Sequence, residues 1–288
     1  MANSPNFMII GAMKCATSTL HEQLALQPGI VMTEPKEPNF FSDNEEYQRG
    51  MDWYLSLFTE AQATDICGES STHYTKLPTY PETVSRIAAE FPELKFIYVM
   101  RHPIDRLVSQ YIHEWTEGVI SVDINEAIDQ FPQLIEYSLY TRQLAPYFQQ
   151  FGQSMVLPVF FERLLTESQS ELERICSFIG YGDVPRWNFD LDAQNVSQER
   201  IRRSEWRDFL VEAPILKQLR RLFIPKSLRT WVRSLWTMKQ KPQLTPEKLA
   251  RLQEIFDQDL TILGSWLGTD LTCDTFKNIV KKDALTWR

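Results

Sequence analysis

Residues 95–111 read KFIYVMRHPIDRLVSQY. The first six are β-branched, aromatic and apolar with almost no polar interruption, the pattern of a strand buried on both faces. Pro103 suits the first turn of a helix, where its missing N–H would have had no partner anyway. The stretch therefore reads as strand, sharp turn and helix, with Arg101 at the carboxyl end of the strand and Ser109 two turns along the helix. In an open α/β sheet, ligands bind outside the carboxyl ends of the strands. Arg101 and Ser109 are thus candidates to hold a phosphate, which a guanidinium can grip with two parallel N–H bonds. An arginine that caps the helix and pairs with Asp105 fits the same residues.

The same arrangement recurs near the start of the chain. Residues 7–20 read FMIIGAMKCATSTL. An apolar run leads into a turn carrying Lys14, and Thr17, Ser18 and Thr19 open a helix. Backbone N–H groups, hydroxyls and an ammonium at the positive end of a helix form an anion site. The turn is P-loop-like, but GxxxxGK[ST] is absent and Gly11 is its only glycine. A hydroxyl-capped helix with a surface lysine remains an alternative for this stretch alone.

Working outward, a short strand is expected at 64–67, a helix at 81–91, an apolar strand at 155–161 and a helix at 167–179. The last long helix is expected at 246–267, with Thr245 as N-cap and Pro246 at the first helical position. Strand–helix alternation predicts an α/β fold, a central parallel β-sheet flanked by helices. No linker is strong enough to divide the chain, so residues 1–288 are expected to form a single domain.

Composition narrows the function classes. The chain has 288 residues, 43% hydrophobic and 24% charged, which excludes a fibrous or wholly disordered protein. The net charge is −8 and the pI about 5.2, against a general nucleic-acid binder. That charge is uneven: residues 200–241 carry 12 Lys/Arg against 3 Asp/Glu. Cys15, Cys67, Cys176 and Cys273 are far apart and form no CxxC or Cys/His cluster. No metal site is expected, and a reducing, cytoplasmic compartment is the simpler expectation. Residues 1–13 have no basic n-region and too short an apolar run for a signal peptide. No run of about 20 apolar residues suggests a membrane span.

Taken together, the two strand–turn–helix motifs resemble the sulfotransferases that use 3′-phosphoadenosine 5′-phosphosulfate (PAPS). Their order, their separation of about 85 residues, and the pattern R-x-P-x-x-R-x-x-S-x-Y all fit. Further resemblance is to the heparan-sulfate-type and bacterial branch, through KEPNFF at 36–41, MDWYLSLF at 51–58 and YSLYTRQLAPYFQQF at 137–151. It extends over roughly residues 7–180 and weakens towards the end.

The resemblance implies PAPS as sulfuryl donor, without a metal. It implies that Lys14, with Ala16, Thr17, Ser18 and Thr19, holds the 5′-phosphosulfate. Arg101 and Ser109 would hold the 3′-phosphate, with Tyr140 near the nucleotide, at the 3′-phosphate or the adenine. Arg200, Arg202 and Arg203 stand where the family closes a loop over the 3′-phosphate. Glu37 matches the catalytic glutamate that takes the acceptor proton, and Lys14 would stabilise the leaving phosphate. His73 and His113 are secondary candidates for the base, each more simply a structural residue; His102 reads as a cap and His21 as a helix-surface residue. Two departures stand out. The family usually has glycine at Ala16, and relatives often have lysine at Ser70, a role Lys36 or Lys76 could take over.

The acceptor is expected to be a hydroxyl, less readily an amine, of a glycan or small molecule. The basic segment 226–241 reads as an amphipathic helix packed on the domain, an acceptor-binding lid, or a membrane-surface contact. A nucleotide-binding module without transfer activity and an atypical P-loop kinase are the competing function classes.

Overall fold

The computed structural model of the chain describes residues 4–191 and 242–288. Its first strand is β1 (Phe7–Gly11), followed by helix α1 (Thr17–Ala25) and the short strand β2 (Ile30–Met32). A long loop and two short helices, α2 (Asn44–Tyr47) and α3 (Met51–Ser56), lead to β3 (Ile66–Ser70). A 3₁₀ turn (Thr72–Thr75) and α4 (Thr83–Glu90) precede β4 (Lys95–Met100) and α5 (Pro103–Thr116). Next come α6 (Ile124–Gln130), α7 (Gln133–Glu136), α8 (Tyr140–Phe151), β5 (Val156–Phe160), α9 (Phe161–Thr166) and α10 (Ser168–Ile179). After the basic segment, α11 (Pro246–Leu267) and α12 (Phe276–Lys282) complete the described helices.

The five strands form one sheet in the order β2-β3-β1-β4-β5, and every pairing is parallel. Parallel strands are covered by crossover helices on both faces, which is why they read as continuous apolar runs. Phe7 to Ile10 and Phe96 to Met100 are all fully buried. The chain builds β2 and β3 on one side of β1, then crosses to β4 on the other. β1 and β4 therefore flank a topological switch point, where the loops leaving their carboxyl ends diverge and open a crevice. Those are the two loops that carry Lys14 and Arg101.

The expected helix at 246–267 has those bounds, and Thr245 Oγ1 accepts from Lys248 N–H at 3.3 Å as its cap. The strand expected at 64–67 instead runs Ile66–Ser70, pairing with both β2 and β1. Its GES end carries little strand propensity, and pairing on both sides imposes the extended backbone. Helix α8 contains Pro146, yet Thr141 N–H bonds Asp259 of α11 at 3.1 Å and Tyr147 hydroxyl bonds the Tyr74 carbonyl at 2.9 Å. Arg200, Arg202, Arg203 and the 226–241 segment, with the roles expected of them, lie outside the described residues.

Gly11 ends β1 with φ +147°, and a Cβ there would lie 2.1 Å from Thr75 Oγ1 and 3.1 Å from the Tyr98 ring. Thr75 cannot simply move, because its hydroxyl bonds the Ile10 carbonyl at 2.6 Å. Gly11→Ala is therefore expected to destabilise the fold by about 1–3 kcal/mol, read as a lower urea midpoint. An unchanged midpoint would show that the turn relaxes.

Candidate active site

The donor-side loop begins where β1 stops pairing. Ala12 N–H bonds the Val99 carbonyl at 2.7 Å, and Cys15 N–H bonds the Ala12 carbonyl at 3.2 Å. Lys14 and Ala16 both adopt left-handed backbone, with φ 68° and 64°. Ala16 is the residue that caps α1, and it offers no side-chain acceptor. Within α1, Leu20 N–H reaches back to the Ala16 carbonyl at 3.0 Å. The N–H groups ahead of it project from the positive end of the helix. Thr17 is buried, Thr19 half-buried and Ser18 exposed. The alanine thus keeps the turn a glycine would make, at a cost of roughly 1–2 kcal/mol in backbone strain.

Arg101 joins this loop to the second one. Its Nη1 donates to the Lys14 carbonyl at 3.2 Å, and its guanidinium lies 4.4 Å from the Phe161 ring centroid. Its Nε is buried with no partner among the described residues. Asp105 does not pair with it; Asp105 is 2.5 Å from Lys277 Nζ. Ser109 is half-buried on α5, one turn beyond Asp105. Tyr140 is fully buried, and its hydroxyl donates to the Arg101 carbonyl while accepting from the Arg101 N–H at 3.2 Å. It holds the Arg101 backbone.

Glu37 lies in the loop after β2, with φ 58° and its N–H bonded to the Ser70 carbonyl at 3.0 Å. Lys36 Nζ is 2.5 Å from its carboxylate, and Thr72 Oγ1 donates to the other oxygen at 3.2 Å. Burial opposes ionisation, but Lys36, Lys76 and Thr72 outweigh it and hold the carboxyl below its ordinary range. Glu37 is therefore an anion at neutral pH.

The loop owes its position to a carboxylate that sequence reading missed. Glu69 is fully buried in β3 and accepts from Tyr54 hydroxyl at 2.5 Å and Ser71 hydroxyl at 2.6 Å. Ser71 Oγ in turn accepts from Asn39 N–H at 3.1 Å. Burial raises the Glu69 carboxyl above its ordinary range despite those bonds. Phe40 stacks on Tyr54 at 4.8 Å and Phe41 meets it edge-on at 5.0 Å, so KEPNFF is fastened to α3 by its rings. The apolar pair after Pro38 could have signalled a buried loop.

The histidines move in the ranking. His21 is buried, not on the surface, and its face of α1 turns towards Lys36 and Glu37, because a short helix covering a sheet leaves little solvent on its inner side. Burial and then Lys36 lower its pKa to about 4. His73 stacks on Tyr80 at 4.7 Å, and burial and then Lys76 lower it to about 4. Both are neutral at pH 7 and poor bases. His102 occupies the N-cap position of α5, with its ring Nε2 2.9 Å from the Cys273 carbonyl. His113 sits in the last turn of α5.

Two predictions follow from this geometry. Ala16→Gly relieves the left-handed strain and is expected to raise stability by up to about 1 kcal/mol, visible in urea unfolding. A drop would show that the methyl group packs usefully. The buried histidines protonate near pH 6.5 when unfolded but only near 4 when folded, so their contribution is complete above pH 6.5 and is lost as pH falls towards 4. His21→Gln is expected to shrink the loss of urea stability between pH 7.5 and pH 4.5; an equal loss would refute this assignment.

A family model described as a sulfotransferase domain matches residues 4–264. The human bifunctional heparan sulfate N-deacetylase/N-sulfotransferase 2 is 28% identical over 197 residues, 61% of this chain and 22% of that protein. The mouse heparan sulfate glucosamine 3-O-sulfotransferase 3B1 is 29% identical over 188 residues, 61% of this chain and 46% of that protein. The chain thus covers less than half the length of either relative. Among solved structures, a sulfotransferase from Alicyclobacillus acidocaldarius has a TM-score of 0.66 at 22% identity, covering 93% of this chain and 98% of its own. A mouse sulfotransferase, SULT7A1, complexed with PAP (adenosine 3′,5′-bisphosphate) has a TM-score of 0.50 at 16% identity, covering 90% and 85%. These two neighbours share the fold. With the family model spanning both loops, the Glu37 segment and most of the remaining chain, the protein belongs to the sulfotransferase domain family.

Proposed function

We propose that the chain, acting as one catalytic unit over residues 1–288, transfers a sulfuryl group from PAPS to an acceptor hydroxyl, less readily an amine, of a glycan or small molecule, releasing PAP. The observation that carries this reading is the bond from Arg101 to the Lys14 carbonyl, which joins two anion-binding loops across the switch point. A ligand with two anionic groups, one at each loop, matches that spacing of chemistry. The residues fit such a ligand: helix α1 opens with outward N–H groups, and Arg101 keeps a buried Nε without a partner.

When bound, PAPS supplies an activated sulfuryl group attached to a phosphate leaving group. Lys14 and the N–H groups and hydroxyls of Ala16, Thr17, Ser18 and Thr19 hold the phosphosulfate and offset charge building on the leaving phosphate. Arg101 and Ser109 hold the 3′-phosphate, and Tyr140 fixes the Arg101 backbone. Arg200, Arg202 and Arg203 are assigned to the same phosphate by resemblance alone. Glu37 accepts the acceptor proton and must approach within about 3 Å of it. Its ionised state at neutral pH supports that role. No step calls for a metal ion.

The family assignment does not favour a P-loop kinase. A nucleotide-binding module without transfer activity predicts PAP binding and no turnover. The four cysteines, all buried as thiols, support a reducing compartment such as the cytoplasm. Among the described residues, no helix is long and apolar enough to cross a membrane.

Calorimetry with PAP, AMP and ATP tests the nucleotide assignment. PAP is expected to bind more tightly than AMP, with Arg101→Ala erasing most of the difference; equal binding of PAP and AMP would sink it. With labelled PAPS and an acceptor panel, Glu37→Gln is expected to keep PAP affinity and lose turnover by about 10²-fold or more. Wild-type turnover in that variant would move the base elsewhere.

A further inference from the structure

Lys76 follows the 3₁₀ turn after β3 as its C-cap residue, and its Nζ lies 5.9 Å from the Tyr137 ring centroid. Thr72, which opens that turn, bonds the Glu37 carboxylate at 3.2 Å, and Lys76 and Glu37 each shift the ionisation of the other. A second carboxylate, Glu114 of α5, also acts on Lys76. Arg106 and Lys36 oppose these two, and His73 feels the Lys76 charge. Burial, set against the pull of Glu37 and Glu114, brings the ammonium down to about 8.

Glu114 is not a loose surface acid. Its Oε1 accepts from Gln110 Nε2 at 2.6 Å, and Gln110 Oε1 accepts from Arg106 Nη2 at 2.8 Å. The three residues are spaced by four along α5, so they form one ladder on one helix face. Arg106 is fully buried, and its Nη2 also bonds the Leu134 carbonyl at 2.8 Å. At this end the guanidinium acts on Cys15, inside the loop that carries Lys14. At the other end Glu114 Oε2 is buried with no hydrogen-bond partner among the described residues. The ladder runs from the donor loop to the surroundings of Lys76.

We propose that Lys76 contacts the oxygens of the sulfuryl group during transfer, and that the Arg106–Gln110–Glu114 ladder positions it for that contact. The proposal rests on the sulfotransferase reading. A proton taken by Glu37 comes from an atom within about 3 Å of its carboxylate. That same atom must lie about 3–3.5 Å from sulfur for attack. The sulfuryl oxygens therefore pass within a lysine's reach of the Glu37 carboxylate, and Lys76 is one of the two lysines whose charge acts on it. The acceptor oxygen gives its proton to Glu37 and bonds to sulfur. The bond from sulfur to the 5′-phosphate oxygen breaks, and its electron pair stays on that phosphate. Lys76 keeps its protons and offsets negative charge on the equatorial oxygens. Ser70, where relatives often have lysine, is fully buried with its hydroxyl unpartnered among the described residues. The cation that position lacks is delivered six residues later.

Competitive acetylation of the full chain, read by mass spectrometry at each lysine, tests this without knowledge of the acceptor. With PAP bound, inorganic sulfate is expected to slow acetylation of Lys76 several-fold, and PAP alone is not. Glu114→Gln removes a charge that favours the ammonium, so the pH of half-reactivity of Lys76 is expected to fall below its wild-type value near 8. Once an acceptor is in hand, Lys76→Met is expected to lower kcat with PAP affinity intact, and Lys76→Arg to restore part of it. PAP binding with no sulfate protection of Lys76 overturns the proposed contact while sparing the nucleotide assignment. An unmoved Lys76 titration in Glu114→Gln overturns the ladder's role. Failure of PAP to bind overturns the sulfotransferase reading, and this proposal with it.

Discussion

A guanidinium removed from water must be surrounded by acceptors, and Arg106 is fully buried. It bonds the Ser138 hydroxyl, Gln110 Oε1 and the Leu134 carbonyl, and Ser138 passes a bond on to the Pro103 carbonyl at 3.1 Å. The segment after α7 is thereby held against the start of α5. Tyr140 follows directly and bonds the Arg101 backbone. Arg101 then reaches the Lys14 carbonyl. One buried charge thus organises, bond by bond, the loops on both sides of the switch point. Removing it would leave several acceptors facing one another without a donor.

Much of this was legible in the chain. KFIYVM and FMIIG read as buried strands because parallel pairing demands apolar side chains on both faces, and both are strands in the fold. Pro246 and Thr245 mark the last long helix for local reasons, and local signals survive folding. Lys14 and Arg101 were found because each ends a strand. Glu69 and Glu114 were not singled out, and Lys76 only beside Lys36, as a replacement for a lysine at position 70. Glu69 takes its meaning from Tyr54 on another element, and Glu114 from Lys76, which lies outside its own helix. His21 read as a surface residue because a single helix turn does not reveal which loop will cover it.

The two departures from the family pattern have different physical weight. Ala16 keeps the left-handed turn and accepts strain for it. Ser70 gives up a charge, and no neighbouring backbone adjustment can replace a charge. In the mechanism proposed above another side chain supplies it, and the charges of Lys36 and Lys76 both act on Glu37. Glu37 therefore sits between two cations, which keep it ionised but also make it a weaker base than an isolated carboxylate. Such a site works by placement and field more than by basicity.

The bridge from Arg101 to Lys14 has a kinetic consequence. A nucleotide that occupies both loops must leave both at once, since the loops are tied to each other and cannot let go independently. In the reaction proposed here the spent nucleotide carries anionic groups at both ends, so it meets the same double grip as the donor. Departure of the spent nucleotide, rather than the bond exchange, would then set the pace of each cycle. A cell relying on this protein would need a phosphatase-type reaction to remove the 3′-phosphate and keep that by-product scarce.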